Sequence, residues 1–176
     1  THEGEEKICA ETHQKLKKKY KKLLTVIIPR HVHRVNDIYK EILDMGFKVQ
    51  IHSKKSKIKK DTDIYLVDTY GETKSFFKIC NTVFLGGSIV NHGGQNPLEP
   101  ARFGCKILHG PNIHNFTEVY RLLNKENLSF KFYNTNQLAK SIDQSLNKNM
   151  NFSKKIDKLK KIGSNILNHT STEINY

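Results

Sequence analysis

The sequence predicts an α/β fold built on a doubly wound parallel sheet. Three observations carry that expectation. Short apolar, β-prone runs alternate with longer segments whose apolar residues recur at helical spacing. The alternation repeats along most of the chain, and repeated strand–helix units imply a parallel sheet with helices on both faces. The glycine, proline and charged side chains cluster just after the strand-like runs, where ligands bind in such sheets.

Each element follows from local pattern. Residues 5–22 predict a helix with acidic residues early and lysines late, matching the helix dipole. Residues 23–28, Leu-Leu-Thr-Val-Ile-Ile, form a continuous apolar run that Pro29 ends. Residues 32–45 place Val35, Ile38, Ile42 and Met45 on one helical face, with Gly46 as the C-terminal cap. A strand at 48–52, a lysine-rich loop, a strand at 63–67 and a helix at 72–81 bearing Phe76, Phe77 and Ile79 come next. The alternation continues as strand 82–85, helix 97–103, strand 106–109, helix 116–124, strand 130–133 and helix 136–147. A last amphipathic helix is expected over 152–167, with Ile156, Leu159, Ile162 and Ile166 on one side, and the tail from His169 is expected to fray.

At 176 residues the chain suits one domain, able to bury about two-thirds of its unfolded surface. Cys9, Cys80 and Cys105 are far apart, with no metal-ligand spacing and no disulfide framework, and read as reduced, intracellular thiols. No run approaches the roughly 18 apolar residues of a membrane-spanning helix, so a membrane-inserting anchor is expected outside this chain. The net charge is +13, almost all from lysine, concentrated in residues 15–22 and 54–60. Those clusters fit solvated surface, or attraction to an anionic membrane or substrate. Nucleic-acid binding is disfavoured, because arginine and aromatic side chains are not interleaved with the charge.

The chemistry concentrates in Phe84-Leu-Gly-Gly-Ser-Ile-Val-Asn-His-Gly-Gly-Gln-Asn-Pro-Leu-Glu-Pro-Ala101. This reads as strand, glycine-rich turn and helix, with Asn96 as cap and Pro97 at the first helical position. Backbone N–H groups there are expected to face a phosphate, and Glu99 a sugar diol. Arg30, after the first strand, is the expected phosphate partner, with Arg34 in the same motif and His31 as a further candidate. Tyr70, Gly71 and Glu72 open a helix and fit either a cap or contacts to a nucleotide. Asp68, His92, His114 and Asn115 are candidates for the same rim.

These motifs resemble the Kdo (3-deoxy-D-manno-octulosonic acid) transferases, in which a Gly-Gly-Ser turn is followed by Asn-Pro-Leu-Glu-Pro. Thr1-His-Glu-Gly-Glu-Glu6, Ile28-Pro-Arg-His31, Asp68-Thr-Tyr-Gly-Glu72 and Gly110-Pro111 with Asn115-Phe116 match in order and at similar spacing. Two residues depart from the pattern: Tyr70 stands where Met is usual, and Gln95 where His is usual. The resemblance implies the Rossmann-like C-terminal half of a GT-B glycosyltransferase, preceded by an acceptor domain that supplies the general base. It implies a CMP-Kdo donor, a lipid A precursor (lipid IVA) as acceptor, no cofactor, and work at the cytoplasmic face of the inner membrane. It also assigns donor binding to Pro29, Arg30, Tyr70, Gly71, Glu72, Asn96, Pro97, Leu98 and Glu99. A stand-alone nucleotide-binding domain, a GT-B enzyme using a UDP-sugar and a sugar-nucleotide epimerase remain alternatives from the residues themselves.

Overall fold

The computed structural model describes residues 1–147; the helix expected over 152–167 and the tail from His169 lie outside them. Six helices and six strands follow the predicted order. They are α1 (Glu5–Lys17), β1 (Thr25–Ile27), α2 (Val35–Asp44), β2 (Val49–Ile51), β3 (Ile64–Leu66), α3 (Thr73–Ile79), β4 (Thr82–Phe84), α4 (Leu98–Arg102), β5 (Lys106–His109), α5 (Thr117–Lys125), β6 (Ser129–Lys131) and α6 (Thr135–Asn147).

All strand pairs are parallel, and they form two three-stranded sheets ordered β1-β3-β2 and β4-β5-β6. The chain passes from the edge strand β1 to the far edge β2 and returns to β3 between them, while the second sheet runs in chain order from its edge strand β4. The β1 and β4 edges both line one cleft.

Alternation along each central strand explains the double covering. In β3, Ile64 and Leu66 join Ile27, Ile38 and Ile42 in a core under α1 and α2. Tyr65 points the other way, against His52 and Phe76 of α3. In β5, Ile107 packs with Tyr120 and Leu123 of α5 and Ala101 of α4. Its neighbour Leu108 meets Phe132 and Leu138 of α6 on the opposite face. A period of two in a strand buried on both sides gives this result directly.

The first helix is shorter than its pattern implied. It ends at Lys17 because residues 18–20 turn back, with the Lys19 and Tyr20 amides both donating to Leu16 O. That turn brings Lys19 Nζ and Tyr20 Oη each to 2.7 Å from Asp143 Oδ1 on α6, a tertiary contact that periodicity does not encode. The other end of α1 carries Glu5 and Glu6 in its first turn, as expected, and both are fully buried and engaged in specific bonds.

Candidate functional site

The loops beyond the carboxyl ends of β1, β3 and β4 meet around a cleft of about 840 Å³, within the roughly 300–1,000 Å³ usual for ligand pockets. Pro29, Arg30, Tyr70, Gly71, Asn96 and Glu99 all line it. Glu72, Pro97 and Leu98 do not. Glu72 turns toward His52, 4.0 Å away, Pro97 is buried beneath the loop, and the Leu98 amide donates to Asn96 Oδ1 at 3.0 Å.

Arg30 is held by its backbone and free at its head. Its amide donates to Thr1 O at 2.9 Å, which fixes the strand end. The side chain is exposed, and among the described residues its guanidinium has no ion-pair partner. Arg34, expected beside it, is committed elsewhere. Its two terminal nitrogens reach the buried Glu6 carboxylate at 3.2 and 3.4 Å, and Thr1 Oγ1 donates to the same group at 2.8 Å. A buried carboxylate needs such partners, so Arg34 serves the fold.

The glycine-rich turn differs from its sequence reading in the same way. The Glu5 carboxylate accepts from the amides of Gly87 (2.9 Å), Ser88 (3.2 Å) and Ile89 (3.1 Å), and from His2 N at 2.9 Å. The nest that looked ready for a phosphate already holds an anion from the same chain. Gly86 is glycine because a Cβ there would strike Glu5 Oε2 and the Thr1 backbone, and Gly87 has φ +69°, a left-handed value. The following helix is also small: α4 has five residues, and Asn96 already caps its Leu98 amide. The free cationic group at the cleft is Arg30, not a helix end.

Other candidates sort by their bonds. Asp68 accepts from Ser53 N at 2.8 Å and from Ser53 Oγ, which pins the loop after β2 to the loop after β3. His92 stacks on His2 with ring centroids 4.3 Å apart, and His31 lies edge-on to His2 at 6.1 Å. Burial, and then the neighbouring His92, lower the His2 pKa below its ordinary value. Asn115 Nδ2 donates to His92 O at 3.0 Å, and His114 opens a 3-10 turn before α5, so both serve the loop. Gln95 Nε2 lies 3.0 Å from His2 Nε2 and holds that ring. Among the described residues no group of three or more His, Cys, Asp or Glu is arranged to hold a metal.

Sequence reasoning missed Glu5, the closing acid of the nest, and Thr69. Thr69 lines the cleft, and its buried Oγ1 has no hydrogen-bond partner among the described residues. Both lie in matched motifs, Thr1-His-Glu-Gly-Glu-Glu6 and Asp68-Thr-Tyr-Gly-Glu72, which drew attention to the segments without giving either residue its role.

A cleft at the β1 and β4 edges, with an arginine that has no ion-pair partner among the described residues and a rim of helix-opening loops, is the candidate ligand site of a parallel-stranded α/β domain. No family model matches the chain. It is 36% identical over 123 residues to the 3-deoxy-D-manno-octulosonic acid transferase of Haemophilus influenzae, a match covering 70% of this chain and 29% of that protein. The enzyme of the same name from Aquifex aeolicus is 30% identical over 145 residues, covering 82% of this chain and 40% of that protein. Among solved structures, the C-terminal CMP-Kdo binding domain of WaaA from Acinetobacter baumannii aligns with TM-score 0.75 at 26% identity, covering 80% of this chain and 73% of that one. The chain belongs to the Kdo transferase family and has the fold of its C-terminal domain. It spans well under half the length of the two curated relatives.

Proposed function

We propose that this chain is the donor-binding domain of a Kdo transferase, which moves Kdo from CMP-Kdo to a lipid A precursor. The observation that supports it most is the convergence of Arg30, Tyr70, Gly71, Asn96 and Glu99 on one cleft, in a fold shared with a CMP-Kdo binding domain. In this reading an acceptor hydroxyl attacks the anomeric carbon of the sugar, and CMP leaves with the bonding electrons. Arg30 meets the charge that gathers on the departing phosphate, a contribution typically worth about 3 kcal/mol for one well-placed donor. Glu99 accepts from the ribose hydroxyls, and Tyr70 and Gly71 border the base.

The general base and the acceptor belong, in this proposal, to a second domain ahead of Thr1. The acceptor is a lipid, so the assembled enzyme works at the cytoplasmic face of the inner membrane. Isothermal titration with CMP and with UDP tests the donor assignment. The expected result is saturable CMP binding that is tighter than UDP and is weakened at least about tenfold in Arg30→Ala and Glu99→Ala. Tighter UDP binding would redirect the assignment to another sugar nucleotide.

A further inference from the structure

The two lysine clusters are alike in sequence and unlike in structure. In the cluster at 15–22, Lys17 Nζ lies 3.0 Å from Asp63 Oδ1 and Lys19 Nζ 2.7 Å from Asp143 Oδ1, so the fold uses part of its charge. In the loop at 54–60 all five lysines are exposed, and among the described residues none has a carboxylate partner. Residues 48–63 carry six lysines against two aspartates, and those aspartates are taken: Asp61 by Lys48 at 2.8 Å, Asp63 by Lys17.

The Gln50 side chain of β2 holds this loop: its Nε2 donates to Ser56 O (3.1 Å), Ser56 Oγ (2.9 Å) and Lys57 O (3.3 Å), and its Oε1 accepts from Lys59 N at 3.1 Å. The loop is thus fixed in place with its lysine heads free. At its centre Ile58 is 43% exposed between Lys57 and Lys59. Beside it a groove of about 400 Å³ has Leu43, Phe47 and Val49 in its lining, with Lys54 and Lys59 also lining it, and Leu43 is 40% exposed. The lining also holds the Lys48–Asp61 ion pair, and exposed Ile58 and Leu43 beside lysines without carboxylate partners suit a surface with negative headgroups above hydrocarbon.

We propose that the loop at 54–60, with the groove beside β2, is a contact surface for an anionic lipid bilayer. The loop starts at the sheet end of the donor cleft, where Ser53 N donates to Asp68, and runs back along β2, the edge strand away from β1, until Asp61 meets Lys48 just ahead of that strand. The proposal stands apart from the donor-domain reading, because vesicle binding is measured without donor or acceptor.

The test is co-flotation of the chain with vesicles of phosphatidylcholine alone and of phosphatidylcholine with phosphatidylglycerol in equal parts. Binding is expected only to the anionic vesicles and is expected to weaken as salt rises. Replacing Lys54, Lys55, Lys57, Lys59 and Lys60 with Gln is expected to cost at least tenfold in affinity, at roughly fivefold for each lysine close to the surface. Ile58→Asp is expected to weaken it severalfold, whereas the same Gln exchange at Lys15, Lys18, Lys21 and Lys22 is expected to change it less than threefold. CMP titration of each variant keeps the donor reading separate. No binding to anionic vesicles, equal losses from the two lysine sets, or displacement of vesicles by an RNA oligonucleotide would each overturn the proposal.

Discussion

The turn at residues 86–89 and the rim formed by Arg30, Tyr70, Gly71, Asn96 and Glu99 border the same cleft, and both carry groups suited to an anion. They differ in whether those groups are free. The turn's amides bind the buried Glu5 carboxylate, whereas the Arg30 guanidinium has no partner among the described residues. A glycine-rich loop is evidence of an anion site only after its donors have been accounted for, and here the anion is internal. The Thr1-His-Glu-Gly-Glu-Glu6 motif accordingly acts as a clip. Glu5 ties α1 to the turn after β4, and Glu6 ties it to Arg34 just ahead of α2.

The comparison breaks most readily at Glu5. Glu5→Ala leaves four N–H groups facing a space that water does not reach, and is expected to destabilise the chain by about 3 kcal/mol or more in urea unfolding. A loss below about 1 kcal/mol would mean that those amides have another use. At the rim the effects reverse. Arg30→Ala is expected to lower CMP affinity by roughly 10- to 100-fold, the value of one or two hydrogen bonds to a charged group. Its unfolding free energy is expected to stay within about 0.5 kcal/mol of the parent, because the side chain is exposed.

Acid provides a third probe, directed at the closed side. His109 Nδ1 lies 2.7 Å from Gly110 O, and the Gly110 amide donates to Ser88 Oγ at 2.9 Å, so this imidazole supports the turn from below. Burial is the main cause of its lowered pKa, and Lys131 adds to it. Above the ordinary histidine value near 6.5 the ring is neutral in both folded and unfolded chains. As pH falls below that value the unfolded chain takes up a proton that the folded chain resists, so stability falls. Urea midpoints are expected to drop between about pH 7 and about pH 5, and His109→Gln is expected to flatten part of that slope. The smallest effect concerns Glu99. Its ion pair with Lys74, at 3.9 Å and largely in solvent, is expected to contribute under about 0.5 kcal/mol, so Lys74→Ala leaves both stability and CMP binding nearly unchanged.

Much of this was legible in the sequence, because the signals are local. Apolar runs set the strands, the 3.6-residue recurrence at Val35, Ile38 and Ile42 set α2, and the position of each polar motif after a strand put the cleft at one sheet end. What was not legible is long-range pairing. Nothing near Glu5 shows that it reaches residues 87–89, and nothing near Arg34 shows that Glu6 claims it, since such bonds exist only once α1 lies beside both loops. The ends of α1 and β6 moved for the same reason, being set by tertiary contacts rather than propensity. The separation of the strands into two three-stranded sheets is likewise absent from periodicity, which registers strands but not their neighbours.

The most direct measurement is a CMP titration followed by the backbone amide resonances of the isotopically labelled chain. The account predicts that the amides of Arg30, Gly71, Asn96 and Glu99 shift saturably, while those of Gly87, Ser88 and Ile89 shift little and stay protected from hydrogen exchange. The largest shifts at Gly87, Ser88 and Ile89, with loss of their protection, would show that the nucleotide displaces Glu5 and would contradict it.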